Sequence, residues 1–212
     1  MNKQERIKLI LQYFEELFPH AGCELIYQKD YELVIAVMLS AQTTDESVNR
    51  VTEKLFFDYP TLVALDAAPL SEIENAIRTI GLFRNKAKNI KGITKKLLEN
   101  FSGVVPADKN QLMTLPGVGN KSANVIRAEI FHIPEIPVDT HVHRVSKRLN
   151  LVKMDDDVFV TEKKLRGLIP KDLYIKSHHQ FIHFGRYFCK ARAPQCTQCH
   201  LRSICKEPNK NL

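Results

Sequence analysis

No stretch of the 212-residue chain approaches the roughly 20 uninterrupted apolar residues that a membrane-spanning helix needs. The opening MNKQERIKLI has no apolar core before its charges resume, so it does not read as a secretory signal. The chain is therefore expected to stay in the cytoplasm. Alternation of apolar and polar residues, the mark of half-buried strands, is almost missing, which argues against a β-rich fold. Low-complexity tracts and internal repeats are missing too. Acid is in short supply: 24 Asp plus Glu stand against 31 Lys plus Arg, a formal charge of +7. That imbalance favours an anionic partner such as nucleic acid. Hydrophobic residues at 44% and charged residues at 26% are ordinary for a soluble globular protein and exclude disorder as the main state. The length allows one domain or two small ones.

What is present is helical periodicity. Residues 4–18, QERIKLILQYFEELF, set Ile7, Ile10, Leu11, Phe14 and Leu17 on one stripe. Similar patterns predict helices near 31–40, 45–57, 71–79, 84–100, 108–115, 120–131, 140–149, 159–168 and 175–187. Pro60, Pro69, Gly81, Gly103, Pro106, Pro134, Pro137 and Pro170 punctuate them, because proline and glycine end helices or continue them at a cost. The reading is all-α, with a second lobe beginning where composition shifts near Pro134 and Pro137.

Four of the five cysteines cluster as Cys189, Cys196, Cys199 and Cys205, a C-x6-C-x2-C-x5-C spacing within seventeen residues; Cys23 stands alone. In a cytosolic setting such a cluster is expected to bind metal rather than form disulfides. Zinc and an iron–sulfur cluster both take four thiolates. Structural zinc sites usually show two short cysteine pairs, and only Cys196 and Cys199 make one here, so the spacing leans towards [4Fe–4S]. An electron-transfer protein is then an alternative reading. Lys190, Arg192 and Arg202 make the same loop cationic, able to press against a phosphate backbone.

Upstream, DKNQLMTLPGVGNKSANVIRAEIF reads as two short helices joined by a Pro-Gly-Val-Gly turn, a helix–hairpin–helix at about 108–131. Gly117, Val118 and Gly119 would let a phosphate approach the backbone closely, and the N–H groups opening the second helix would point at it. Such a turn grips phosphate without reading sequence. Lys121 follows among Val118, Ala123, Val125 and Ile126. A lysine becomes a nucleophile only when neutral, which calls for desolvation or positive neighbours, and an apolar helix start offers that setting. In PVDTHVHRV, Asp139 precedes a helix-patterned run, where an aspartate accepts hydrogen bonds from the first N–H groups. A carboxylate so held suits a place opposite a lysine, to accept a proton or steady a developing cation.

These segments carry a resemblance. In their order along the chain, VMLSAQTTDESVN, TIGLFRNKAKNI, LPGVGNKSANVI, PVDTHVHRV, HHQFIHFGRYFC and the four-cysteine tail resemble the endonuclease III family of DNA glycosylase/AP lyases. The resemblance implies a six-helix barrel at 22–133 carrying the hairpin and an iron–sulfur domain formed by 1–21 with 134–212. It also implies a cleft between them and one [4Fe–4S] cluster on the loop 189–205. It gives Lys121 the Schiff-base role and Asp139 the assisting role, acting on oxidised pyrimidines or abasic sites in duplex DNA. Gln42 and Leu82 match its gap-filling residues, and Ser40, Asp45 and His141 would line the pocket. The protein is expected to be monomeric and associated with the nucleoid. Related adenine glycosylases resemble a pattern with a glutamate where this chain has Ala36 and without the lysine at 121. The chain departs from the family pattern at Asn120, where many relatives carry a basic residue, and in the polar segment RAEIFHIP, two differences that bear on fine substrate preference. A non-catalytic duplex-binding module would keep the hairpin and cluster but gain nothing from Asp139.

Overall fold

The computed structural model describes residues 1–208 and 210. Its helices are α1 (Lys3–Leu17), α2 (Asp30–Leu39), α3 (Asp45–Asp58), α4 (Leu62–Ala67), α5 (Leu70–Ala76) and α6 (Phe83–Phe101), then α7 (Lys109–Met113), α8 (Asn120–Phe131), α9 (Thr140–Arg148), α10 (Val158–Leu168) and α11 (Tyr174–His183). Among the described residues there is no strand, so the all-α class read from periodicity is the class found. No helix of the described residues is long and apolar enough to cross a membrane.

The chain divides into two compact units, Met1–Cys23 with His132–Leu212, and Glu24–Phe131. The central unit is built on α2, whose DYELVIAVML is buried from Tyr31 to Leu39. A helix apolar all round must be enclosed on all sides, and α3, α6 and α8 pack around it. The helix α6 is the amphipathic counterpart: Lys86, Ala87, Ile90, Ile93, Thr94 and Leu97 form its buried stripe at three- and four-residue spacings. Lys86 is the one charge on that stripe.

In the unit made by both termini, α1 opens on a capping box, with the Asn2 side chain accepting from the Glu5 N–H and the Glu5 carboxylate accepting from the Asn2 N–H. It buries Ile7, Ile10 and Phe14 against Val142 and Val145 of α9, Leu165 of α10 and Phe181 of α11. The Phe14 ring meets Phe181 edge-on at 5.0 Å and lies 4.7 Å from Phe184.

Two elements differ from the pattern-based reading. The helix α4 was not expected; it is only six residues long, between Pro60 and Pro69, too short to display a stripe. The run expected as one helix over 175–187 ends at His183 and continues as a π-helical turn, Phe184–Phe188. The wider turn closes with the Cys189 N–H donating to the Phe184 carbonyl at 2.6 Å, five residues back. Single π turns of this kind recur near functional sites, and this one delivers the first clustered cysteine.

Candidate active site and cysteine cluster

In the central unit the hairpin is formed by α7, capped by Asp108 accepting from the Gln111 N–H at 2.9 Å, and by α8. Between them the chain bends at Gly117, whose φ is +78°. A Cβ there would stand 2.8 Å from both Asn89 Nδ2 on α6 and Met38 Cγ on α2, so any side chain would force these neighbours to shift. Gly119 differs: nothing lies within 4 Å of its Cβ site and the residue is exposed. Val118 between them is buried, anchoring the turn. The first N–H groups of α8 have no partner within the helix, and the bare Gly119 backbone leaves them approachable.

Lys121 is the second residue of α8 and is exposed, while Ala123, Val125 and Ile126 turn into the core. This corrects one expectation. Ala123 and Ile126 point away from Lys121, and Val125, one turn on along the same side, is buried while the lysine itself is exposed, so the fold leaves the lysine in solvent. Any desolvation must arrive with the ligand that covers it.

The α2–α3 connection holds three more candidates. Ser40 caps α2 and donates through Oγ to the Val37 carbonyl at 2.8 Å; Asp45 is half-buried at the first position of α3; Gln42 between them is exposed with φ of 55°. Leu82 precedes α6 with φ of 60° and is 62% exposed. Ser102, His132 and Asn150 also take positive φ, but just after helix ends, where a left-handed residue is an ordinary cap. A leucine in that region ahead of a helix, with its side chain in solvent, is neither an ordinary cap nor part of a core.

Sequence reasoning missed what joins these segments. The Lys86 ammonium is buried and donates to the Leu39 carbonyl at 2.8 Å, the Ala41 carbonyl at 2.9 Å and the Thr43 hydroxyl at 2.7 Å. Burial holds its pKa below the ordinary lysine value. The signal was available: Lys86 falls on the apolar stripe of α6, where a charge requires an explanation.

In the unit of the termini, Asp139 is the N-cap of α9 and accepts from the Val142 N–H at 2.8 Å. His141 is half-buried on the first turn, its Nδ1 3.4 Å from the Arg144 guanidinium. Arg144 also donates to the carbonyls of Gly185 at 2.7 Å and Cys189 at 3.2 Å. One turn on, Arg148 donates to the Lys190 carbonyl at 2.7 Å, approaches Cys189 Sγ at 3.4 Å and pairs with Glu207 at 2.6 Å. Both arginines went unnoticed in the sequence; their i,i+4 spacing, which puts them on one helix face, was the available signal. Lys190 and Arg192 are exposed on the cysteine loop.

Cys189, Cys196, Cys199 and Cys205 line one cavity together with Leu149, Phe184, Phe188 and Pro194. Among the described residues no three of His, Cys, Asp and Glu are disposed to hold a single metal ion. Burial raises the Cys189 thiol and pushes Cys199 up to about 11. The Glu207 N–H approaches Cys205 Sγ at 3.4 Å. Soft sulfur donors sharing an apolar cavity, with N–H groups directed at two of them, fit a group that takes up thiolates and displaces their protons.

Comparison with known proteins agrees with this geometry. A family profile described as the HhH-GPD superfamily base excision DNA repair protein matches residues 35–171. Endonuclease III of Bacillus subtilis (strain 168) is 48% identical over 206 residues, 97% of this chain and 94% of that protein. Endonuclease III of Escherichia coli (strain K12) is 40% identical over 210 residues, 99% of each. A solved structure of a trapped endonuclease III–DNA covalent intermediate superposes with a TM-score of 0.93 at 48% identity, covering 98% of this chain and 97% of that one. Fold and hairpin thus define a helix–hairpin–helix protein of base excision DNA repair. Within that class, the chain belongs to the endonuclease III family.

The two hairpin glycines should respond differently to substitution. Gly117→Ala is expected to cost roughly 1–3 kcal/mol in urea denaturation, for the left-handed backbone and the contacts with Met38 and Asn89. Gly119→Ala should stay within about 0.5 kcal/mol of the parent. Equal losses would show that the bend is not held by the close approach at Gly117.

Proposed function

We propose that the protein is a bifunctional DNA glycosylase/AP lyase that removes oxidised pyrimidines from duplex DNA and then cuts 3′ to the abasic site. The observation that carries this reading is the placement of Lys121: exposed, on the first turn of α8, directly after a turn whose backbone is open to a phosphate. The trapped covalent complex of a 48%-identical relative supports a covalent route. DNA binding is further supported by the net charge of +7.

The chemistry is that of an amine nucleophile. A base inside the stack is out of reach, so the nucleotide is extruded, and Gln42 and Leu82 fill the gap left behind. Both side chains stand in solvent on left-handed backbone, a posture with a cost that insertion into a stack would explain. Phosphates flanking the lesion lie on the Gly117–Gly119 turn and the opening N–H groups of α8. Neutral Lys121 attacks C1′, the bond to the base breaks, and the base departs with the bonding pair and takes a proton. Opening of the sugar ring gives the imine between Nζ and C1′. The imine draws electrons from C2′, whose proton is lost; that pair forms the C2′–C3′ double bond as the C3′–O bond breaks, and the 3′ phosphate leaves. Asp139, fixed by its hydrogen bond to the Val142 N–H, carries the negative charge that steadies the sugar as positive charge develops at C1′. Ser40, Asp45 and His141 line the pocket for the base. Lys190 and Arg192 add phosphate contacts that are indifferent to sequence.

Cys189, Cys196, Cys199 and Cys205 would hold a [4Fe–4S] cluster. Bound there, it supplies four metal–sulfur links that tie the C-terminal loop to the core of its unit, and a one-electron couple. The reaction steps above use only side chains of the chain itself.

Two experiments test this reading. Lys121→Gln should abolish strand scission at an abasic site while duplex affinity falls by no more than about one phosphate contact's worth. Asp139→Asn should leave a folded protein, because the amide still caps α9, with base excision slowed by roughly 10²-fold. Scission by the Lys121→Gln protein at the parent rate would refute the assignment. For the cluster, protein purified without oxygen should be yellow-brown and contain iron and sulfide, and Cys199→Ser should lower both iron content and soluble yield. Stoichiometric zinc in their place would overturn it.

A further inference from the structure

We propose that Lys86 is a positioning residue that locks together the two segments carrying the gap-filling side chains, so that Gln42 and Leu82 enter the base stack as one preformed wedge. The inference rests on the gap-filling role given to those residues above and goes beyond it, by identifying what holds them in place.

The geometry converges on one side chain. On one side of Gln42, the Ala41 carbonyl accepts from Lys86 Nζ at 2.9 Å; on the other, the Thr43 hydroxyl is reached at 2.7 Å. The third ammonium proton goes to the Leu39 carbonyl at 2.8 Å, one of the last four carbonyls of α2, which the helix itself cannot satisfy. At the other end of the same residue, the Lys86 backbone N–H donates to the Leu82 carbonyl at 3.0 Å, the first hydrogen bond of α6. One residue therefore holds the peptide before Gln42, the side chain of the residue after it, and the carbonyl of the residue that carries the second wedge.

The energetics favour a positioning role over plain stabilisation. All three side-chain hydrogen bonds go to neutral oxygens, so the buried charge is solvated by dipoles rather than neutralised by a carboxylate. Enclosing an ammonium this way is costly, and an apolar side chain of similar length would fill the stripe of α6 more cheaply. What the ammonium adds is direction: three donors that a methionine lacks, spent on the loop that bends through Gln42. Left-handed backbone at Gln42 and Leu82 persists only where the surroundings over-determine it. The Lys86 side chain supplies that constraint around Gln42, and by tying the α2–α3 loop to the first turn of α6 it fixes Gln42 relative to Leu82.

The experiment compares full-length parent, Lys86→Met, Gln42→Ala and the double variant on a duplex with 2-aminopurine opposite an abasic-site analogue. Fluorescence of the probe reports insertion into the stack, and excision of an oxidised pyrimidine is measured in parallel. Lys86→Met should reduce both by about tenfold, less than the roughly 10²-fold that a full 1 Å misplacement can cost. In the Gln42→Ala background the same change should add less than about twofold, because its effect is exerted through Gln42. Scission of a single-stranded abasic oligonucleotide, which has no opposing stack to fill, should stay at the parent rate. Thr43→Val removes one of the three acceptors while leaving the lysine in place, and should give a smaller loss of the same kind, so the proposal stays open to refutation if Lys86→Met does not fold. Full additivity with Gln42→Ala, or an equal loss on the single strand, would overturn the positioning role and leave a general structural one. If Gln42→Ala and Leu82→Ala themselves leave insertion unchanged, it is the gap-filling reading that fails.

Discussion

The left-handed bend at Gly117, pressed against Met38 and Asn89 where a Cβ would force both to shift, is the constraint on which the rest of the central unit depends. It decides where α8 begins, and therefore that Lys121 stands on the first turn of α8 with its ammonium in solvent while Ala123, Val125 and Ile126 fill the core. The same two neighbours connect the bend to the other candidate residues. Met38 lies in the last turn of α2, two residues before Ser40, and the loop that follows bears Gln42 and leads into Asp45 at the start of α3. Asn89 lies one turn after Lys86 and two after Leu82. The end of α2 and the start of α6 are thus a common platform for the hairpin, Gln42 and Leu82, and α2 can serve as that platform because it is buried on every side.

In the unit of the termini, α9 plays the corresponding part. Its N-terminus is fixed by Asp139 and its last turns are tied by Arg144 and Arg148 to the backbone of Gly185, Cys189 and Lys190. One nine-residue helix therefore carries the assigned carboxylate at one end and grips the first cluster cysteine at the other. Whatever orders the cysteine loop also orders α9 and the carboxylate at its N-terminus. The half-buried thiols, with Cys199 pushed up to about 11, rest protonated, so a group that binds there must displace their protons.

Most of the helices were legible because their burial follows a single period; the pattern at 31–40 gave the helix α2 but not its burial on every side. The short α4 and the π turn before Cys189 were not legible, since neither is long enough to print a period on the sequence. For the site, residue types and spacing located the hairpin, Asp139 and the cysteines. They gave the wrong surroundings for Lys121, because proximity in sequence to apolar residues says nothing about which side of a helix a side chain takes. Lys86, Arg144 and Arg148 escaped for a related reason. Each acts through backbone carbonyls far away in the chain, and a carbonyl acceptor leaves no mark on the sequence.

The central claim is that the Lys121 amine forms the covalent bond to C1′. The measurement that tests it most directly is borohydride reduction of the parent protein on an abasic-site duplex, followed by digestion and mass spectrometry of the adduct. The account predicts the added sugar mass on the peptide containing Lys121 and on its Nζ. Adduct at the amine of Met1, or at another lysine with Lys121 unmodified, would contradict it and reduce the hairpin to a phosphate-binding turn.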